Sequence, residues 1–201
     1  MFHAAREDRV EIEMREFQLR HQGHATVLRD PLWAASLDGW RSNANVKAAF
    51  GSSSAITCTL ASIAEGGARE STAIDNSTDL YLDALVRVHV KLQTGSPASE
   101  KAIYVYAYGS EDGTNYTDNA TGSDAAITLR VPTNLRLIGT IAAPDSGGLT
   151  YKSHPFSVAP AFGGILPRKW GIVVQNKTNI AFSATEGDHA KAYSGVYNTV
   201  V

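Results

Sequence analysis

From Leu82 to Leu92 every even-numbered residue is apolar (Leu82, Ala84, Val86, Val88, Val90, Leu92), while Asp83, Arg87, His89 and Lys91 stand at odd positions. A period of two sustained over that length describes a strand with one buried and one solvated face, and a helix cannot use it. A polar link, Gln93 to Lys101, carries Gly95 and Pro97 and leads into a second run, Ala102 to Tyr108, rich in β-branched and aromatic residues. Its odd positions Ile103, Val105 and Ala107 are aliphatic, and Tyr104, Tyr106 and Tyr108 share the opposite face. Two long strands joined by a short link predict an antiparallel pair at the centre of a wider sheet.

The remainder of the chain extends that reading. Strands are expected at Ala55 to Ala64, Ile127 to Val131, Leu135 to Ala142, Leu149 to Val158, Trp170 to Gln175, Ile180 to Ala184 and Tyr193 to Val201, with loops at 69–79, 110–124 and 160–167. Gly66-Gly67, Pro132-Thr133-Asn134 and Asp145-Ser146-Gly147-Gly148 mark turns between them. Eight or nine short strands at even spacing predict an all-β chain, an antiparallel two-sheet β-sandwich of jelly-roll type spanning residues 51–201. Residues 1–50 differ in character. Their start is densely charged, and its apolar positions fit neither a helix face nor a strand throughout, so an N-terminal arm is expected there.

Composition narrows the functions open to such a fold. The formal net charge of −2 gives no electrostatic footprint for nucleic acid or an acidic membrane surface. Charged residues make up only 19% of the chain, replaced by Ser, Thr, Asn and Gly, which suits a surface partly covered by neighbours. Cys58 is the single cysteine and lies among apolar residues, so a disulfide-stapled fold is excluded and a buried, inert thiol is expected. The charged start is unlike a signal peptide, and no apolar run reaches membrane length, which together predict synthesis in a cytoplasm.

No catalytic constellation emerges. The chain has no phosphate-cradling glycine loop, nucleophile elbow or zinc-binding helix motif, so neither a catalytic residue nor a cofactor or metal site is assigned. His21 and His24 lack further ligands nearby, and the sequons at Asn76, Asn115, Asn119 and Asn176 fit turns better than glycosylation. The Ser110 to Asp118 loop has oxygen donors for a hard cation, but Asp, Asn and Gly are also what a turn requires. The tyrosine row Tyr104, Tyr106, Tyr108, with Tyr116, fits either a stacking platform for sugars or packing beneath loops and subunits. In the arm, Phe17, Trp33 and Trp40 need burial, and the two tryptophans are the expected anchors on a partner.

Several segments carry a family likeness. Ala68 to Asn76, the Leu82 to Gly95 strand, Tyr104 to Gly113, Pro167 to Asn176 and Tyr193 to Tyr197 together resemble virion proteins of tailed bacteriophages, over roughly residues 50 to 201. The resemblance implies a non-enzymatic structural protein, most simply a capsid decoration or cement protein on the outer shell. It also implies a homo-oligomer, with a trimer favoured, contacts to the major capsid protein or other virion proteins, and residence in the virion. The alternative is a tail, fibre or baseplate module that binds host-surface carbohydrate through the tyrosine row.

Overall fold

The computed structural model describes residues 46–200, which form one compact unit. Eleven strands among these residues build two antiparallel sheets. They are β1 (Val46–Ala55), β2 (Ala68–Glu70), β3 (Ile74–Asp75), β4 (Asp83–Lys91), β5 (Ala102–Ser110), β6 (Ala125–Ile127), β7 (Arg136–Ala142), β8 (Thr150–Lys152), β9 (Phe156–Ser157), β10 (Lys169–Lys177) and β11 (Ala190–Val200). The first sheet runs β1-β11-β4-β8, with β9 also on β4; the second runs β6-β2-β10-β5-β7, with β3 also on β10. Leaving aside the short β3, β6 and β9, eight strands in chain order alternate between the sheets except at β5 and β7, which are neighbours in the second, and this is the jelly-roll pattern. The predicted all-β sandwich is the architecture found.

One expectation about its centre is overturned. β4 and β5 are not hydrogen-bonded neighbours: β4 lies between β11 and β8, and β5 between β10 and β7, in the other sheet. The period-two pattern fixed which face of each strand is buried but not which strand lies beside it. Val86, Val88, Val90 and Leu92 meet Ile103, Val105 and Ala107 in one core cluster, with Trp170, Ile172 and Val174 from β10. The two strands face each other across the sandwich, and a link of about ten residues easily spans the roughly 10 Å between packed sheets. Each large aliphatic side chain buried in this way contributes on the order of 1.5–3 kcal/mol.

The segment after β1 departs from expectation for a related reason. Ile56, Cys58 and Leu60 are buried alternately, as a strand would have them, yet residues 56–60 pair with no ladder. Carboxylates take the place of neighbouring strands. Thr59 N–H donates to Asp124 at 2.9 Å, and Leu60 and Ala61 N–H donate to Glu186 at 2.8 and 2.9 Å. The expected strand at 180–184 is likewise only a bridge, Leu92 to Phe182. Conversely, β2 and β3 occupy part of what reads as a polar loop, because Glu70 and Ser71 are buried polar residues there. Residues 46–50, assigned to the arm by sequence, belong to β1 and pair with β11 from Val46↔Val200 to Phe50↔Val196.

Candidate docking surface

The tyrosine row lies on β5, on the face of its sheet turned away from the core, and the structure divides it. Tyr108 is fully buried under the loop that follows β5, with Tyr116 edge-on at 5.7 Å and Ile127, Leu135 and Val173 around it. Its hydroxyl donates to the Ser71 carbonyl at 2.5 Å, and burial pushes the phenol well above its ordinary pKa. As a surface contact Tyr108 is therefore ruled out: loop 111–135 has taken the place of a partner. Tyr106 is half-buried, with its hydroxyl 3.4 Å from Gln175 Oε1, and Tyr104 is half-buried with its hydroxyl donating to Glu100. The rings of Tyr104 and Tyr106 stand at 79° to each other, which offers no flat platform. Phe17, Trp33, Trp40, His21 and His24 lie outside the described residues.

The polar loop is organised by its own carboxylates. Asp112 accepts from Asn115 N–H at 2.7 Å, Thr114 N–H at 2.8 Å, Asn115 Nδ2 at 2.6 Å and Ser110 Oγ at 2.9 Å, which holds its carboxyl far below the usual range. Asp118 accepts from Thr133 Oγ1, Asn134 N–H and Asn134 Nδ2. Asp124 is bound by Thr59 and, at 2.5 Å, by Arg69 Nε. This is turn chemistry, in which the oxygens that could wrap a cation already accept from the chain itself. Among the described residues no group of three or more His, Cys, Asp or Glu side chains gathers around a common point.

Among the described residues, two hollows can be delineated. A groove of about 760 Å³ between β7 and β9 is lined by Arg136, Leu137, Ile138, His154, Phe156 and Ser157; the Ser157 hydroxyl donates to the Asp83 carboxylate at 2.6 Å and so is engaged away from His154. A smaller one of about 450 Å³ is bounded by Glu111, Asp112, Tyr116, Phe162 and Pro167. Neither brings together an acid, a base and a nucleophile of the kind acyl, glycosyl or phosphoryl transfer demands. Cys58 is buried and its thiol is pushed up to about 12, chiefly by desolvation, so it is not poised as a nucleophile.

What stands out is where the exposed apolar side chains sit. Ten large hydrophobic residues are exposed among those described, and seven of them crowd one end of the sandwich. Val46, Phe50, Tyr197 and Val200 belong to a ribbon in which β1 and β11 run past the start of β4 and pair only with each other. Leu80, Leu82 and Ile165 border it, because Leu82 N–H donates to Val196 O at 2.8 Å, Leu166 N–H to Leu82 O at 3.1 Å, and the Tyr81 ring lies 6.1 Å from that of Tyr197. Leu80, at φ 51°, is 69% exposed, and Ile165 is 65% exposed. Alternation sets Val46, Phe50 and Val200 on one face of the ribbon and Tyr197 on the other. Scattered apolar residues on a surface need no explanation, but a concentration of them at one end marks a place of contact. The sequence hid this feature: Leu80 and Ile165 read as loop residues, and Leu82 read as the first member of the buried row of β4, whereas it lies before the strand and is exposed. No family model matches the chain, and no curated protein matches it.

Proposed function

We propose that this chain is a non-enzymatic structural protein of a bacteriophage virion, a decoration or cement subunit that binds the outer shell and stabilises it through subunit contacts. The observation that carries the reading is the gathering of seven exposed apolar side chains at one end of a jelly-roll sandwich, with Val46 and Val200 paired side by side there. A protein whose ionisable groups serve turns and whose apolar groups collect at one end is built for being held, not for turning over a substrate. The resemblance of Ala68 to Asn76, Tyr104 to Gly113 and Pro167 to Asn176 to tailed-phage virion proteins supports the same reading. Virion residence, capsid contact and a trimeric assembly belong to the proposal.

The carbohydrate-binding alternative is weakened by the burial of Tyr108, which removes a third of its supposed platform. The test is quantitative mass spectrometry of purified particles, followed by readdition of protein to stripped particles. A copy number in the hundreds and saturable rebinding support a shell protein; a few copies per particle, or binding to host polysaccharide lost in Tyr104→Ala, would replace it with a tail module. Leu80→Asp with Ile165→Asp is expected to abolish rebinding while leaving the sandwich folded.

A further inference from the structure

Among the strands described, β1 is the long one with an open edge. β8 and β6, which end the two sheets, have three residues each, and the outer edge of β7 runs alongside β8 and β9 across the sandwich. β1 has ten residues, no proline and a single charge, Lys47, and beyond it no described strand follows. Natural sheets blunt an edge of that kind with charges, proline or short length, because its free N–H and C=O groups are a template for another chain.

Which groups face outward follows from two hydrogen bonds. Leu82 N–H donates to Val196 O, and Ile56 N–H donates to Lys191 O at 3.0 Å. Backbone groups of successive residues point to opposite edges of a strand, so the even residues of β11 bond towards β4 and the odd ones towards β1. Val46, Ala48 and Phe50 are opposite Val200, Asn198 and Val196, and so turn their N–H and C=O to the open edge. The ladder shifts register between Phe50 and Ser53, which leaves Val46–Phe50 as the straight part.

We infer that this edge pairs with the same edge of a second copy, antiparallel about a two-fold axis through Ala48. That register sets outward residue against outward residue: Val46 against the partner's Phe50, Ala48 against the partner's Ala48. Lys47 falls opposite the partner's Ala49, so no charge opposes its like. On the solvent face the four central strands then line up two apolar rows, each running Val200, Val46, the partner's Phe50 and the partner's Val196, with Ala48 between them. Aromatic and β-branched cross-strand pairs are favourable, and the union makes one sheet continuous across two molecules. Phe50, 65% exposed in the single chain, is covered. Self-complementarity of this kind favours a second copy over a foreign strand, for which nothing in the segment selects. The contact is independent of attachment to a shell, and it differs from a three-fold axis, so it would link neighbouring assemblies.

The test is disulfide trapping with the full chain. In a hydrogen-bonded antiparallel pair the Cα atoms stand about 5.5 Å apart, within reach of a disulfide. Ala48→Cys is expected to give a covalent dimer within minutes of copper-catalysed air oxidation, while Lys152→Cys, exposed on the opposite edge of the same sheet, stays monomeric. Adding Val46→Pro to Ala48→Cys removes an outward N–H without touching the bond to β11, and should slow trapping at least several-fold. Ala48→Cys trapping no faster than Lys152→Cys, or trapping unaffected by Val46→Pro, would overturn the inference. Circular dichroism of each variant confirms that the sandwich is intact.

Discussion

The Glu70 carboxylate accepts the Thr121 hydroxyl at 2.7 Å and the Thr121 N–H at 2.8 Å, from a side chain that is itself buried on β2. With a third bond from Gly122 N–H, this clasp fastens the long loop over the outer face of its sheet and so covers Tyr108. Glu70→Ala leaves those donors unpaired, at a cost of about 2–3 kcal/mol by the usual penalty for buried unsatisfied groups. Urea unfolding measures the loss, and tyrosine near-ultraviolet circular dichroism should show the Tyr108 environment loosening. An unchanged midpoint would mean that water replaces the carboxylate without penalty.

Asn176 is a second buried polar centre, with all its hydrogen-bonding capacity in use. Nδ2 donates to Ile63 O at 2.9 Å and Ile180 O at 2.7 Å, and Oδ1 accepts from Thr178 N–H at 3.0 Å and Thr178 Oγ1 at 2.8 Å. Asn176→Ala is expected to destabilise the sandwich by about 3 kcal/mol, the scale for breaking a buried network. Urea unfolding of Asn176→Ala beside the parent chain measures the loss, and an unchanged midpoint would show that water satisfies the freed groups.

Gly171 on β10 lies opposite Tyr108 in the ladder, and a Cβ built there would come within 2.4 Å of the Tyr108 ring. Gly171→Ala therefore forces the ring out of its pocket, an overpacking that costs about 1–3 kcal/mol. Thermal unfolding of Gly171→Ala with Tyr108→Phe, which keeps the ring but not the hydroxyl, should show no relief, whereas with Tyr108→Ala the steric part disappears.

Acid should unfold the domain in two stages. Burial, then the charges of Lys152 and Arg87, lower the pKa of His89; a group with a depressed folded value stabilises the fold above its unfolded value and loses that contribution as pH falls. A shallow decline in melting temperature is thus expected from about pH 6.5 downward. A steeper fall follows below about pH 4, the unfolded carboxyl range. There Asp112 is protonated against the Asn115 and Thr114 N–H groups, and Asp118 against Thr133 and Asn134. Glu186 joins them: burial opposes its charge, but Lys191 and the Ala61 and Leu60 N–H groups outweigh it and hold its carboxyl below the ordinary range. His89→Gln should remove the first stage and Glu186→Gln soften the second; melting curves from pH 7 to 2 decide.

Much of this architecture is legible from alternation alone. The buried faces of β4 and β5, the position of β10 and β11, and the all-β class follow from where Val86, Val88, Ile103, Val105 and Ile172 stand in the chain. Neighbours do not follow, because a buried face says only that something covers it; the strand beside Asp83 in β4 is reached only at Val196 in β11. Segments held by side chains also escape the pattern, as where Glu186 and Asp124 bind residues 59–61 in place of a ladder. The tyrosine face was readable as an outward row, but the loop that hides Tyr108 depends on Glu70, a charged residue in a run that reads as solvated. The apolar end of the sandwich is assembled from four distant stretches, around 46–50, 80–82, 165 and 196–200, and exists only once they meet.

The Val46↔Val200 pairing also determines how the sandwich responds to load. Tension applied through these two residues pulls the strands apart at their shared tip, across the ladder, so the bonds open one after another like a zipper instead of resisting together in shear. A tether attached at this end would peel β1 from β11 at low force before disturbing Trp170 or its surroundings, giving the molecule a compliant hinge in front of a stiff body.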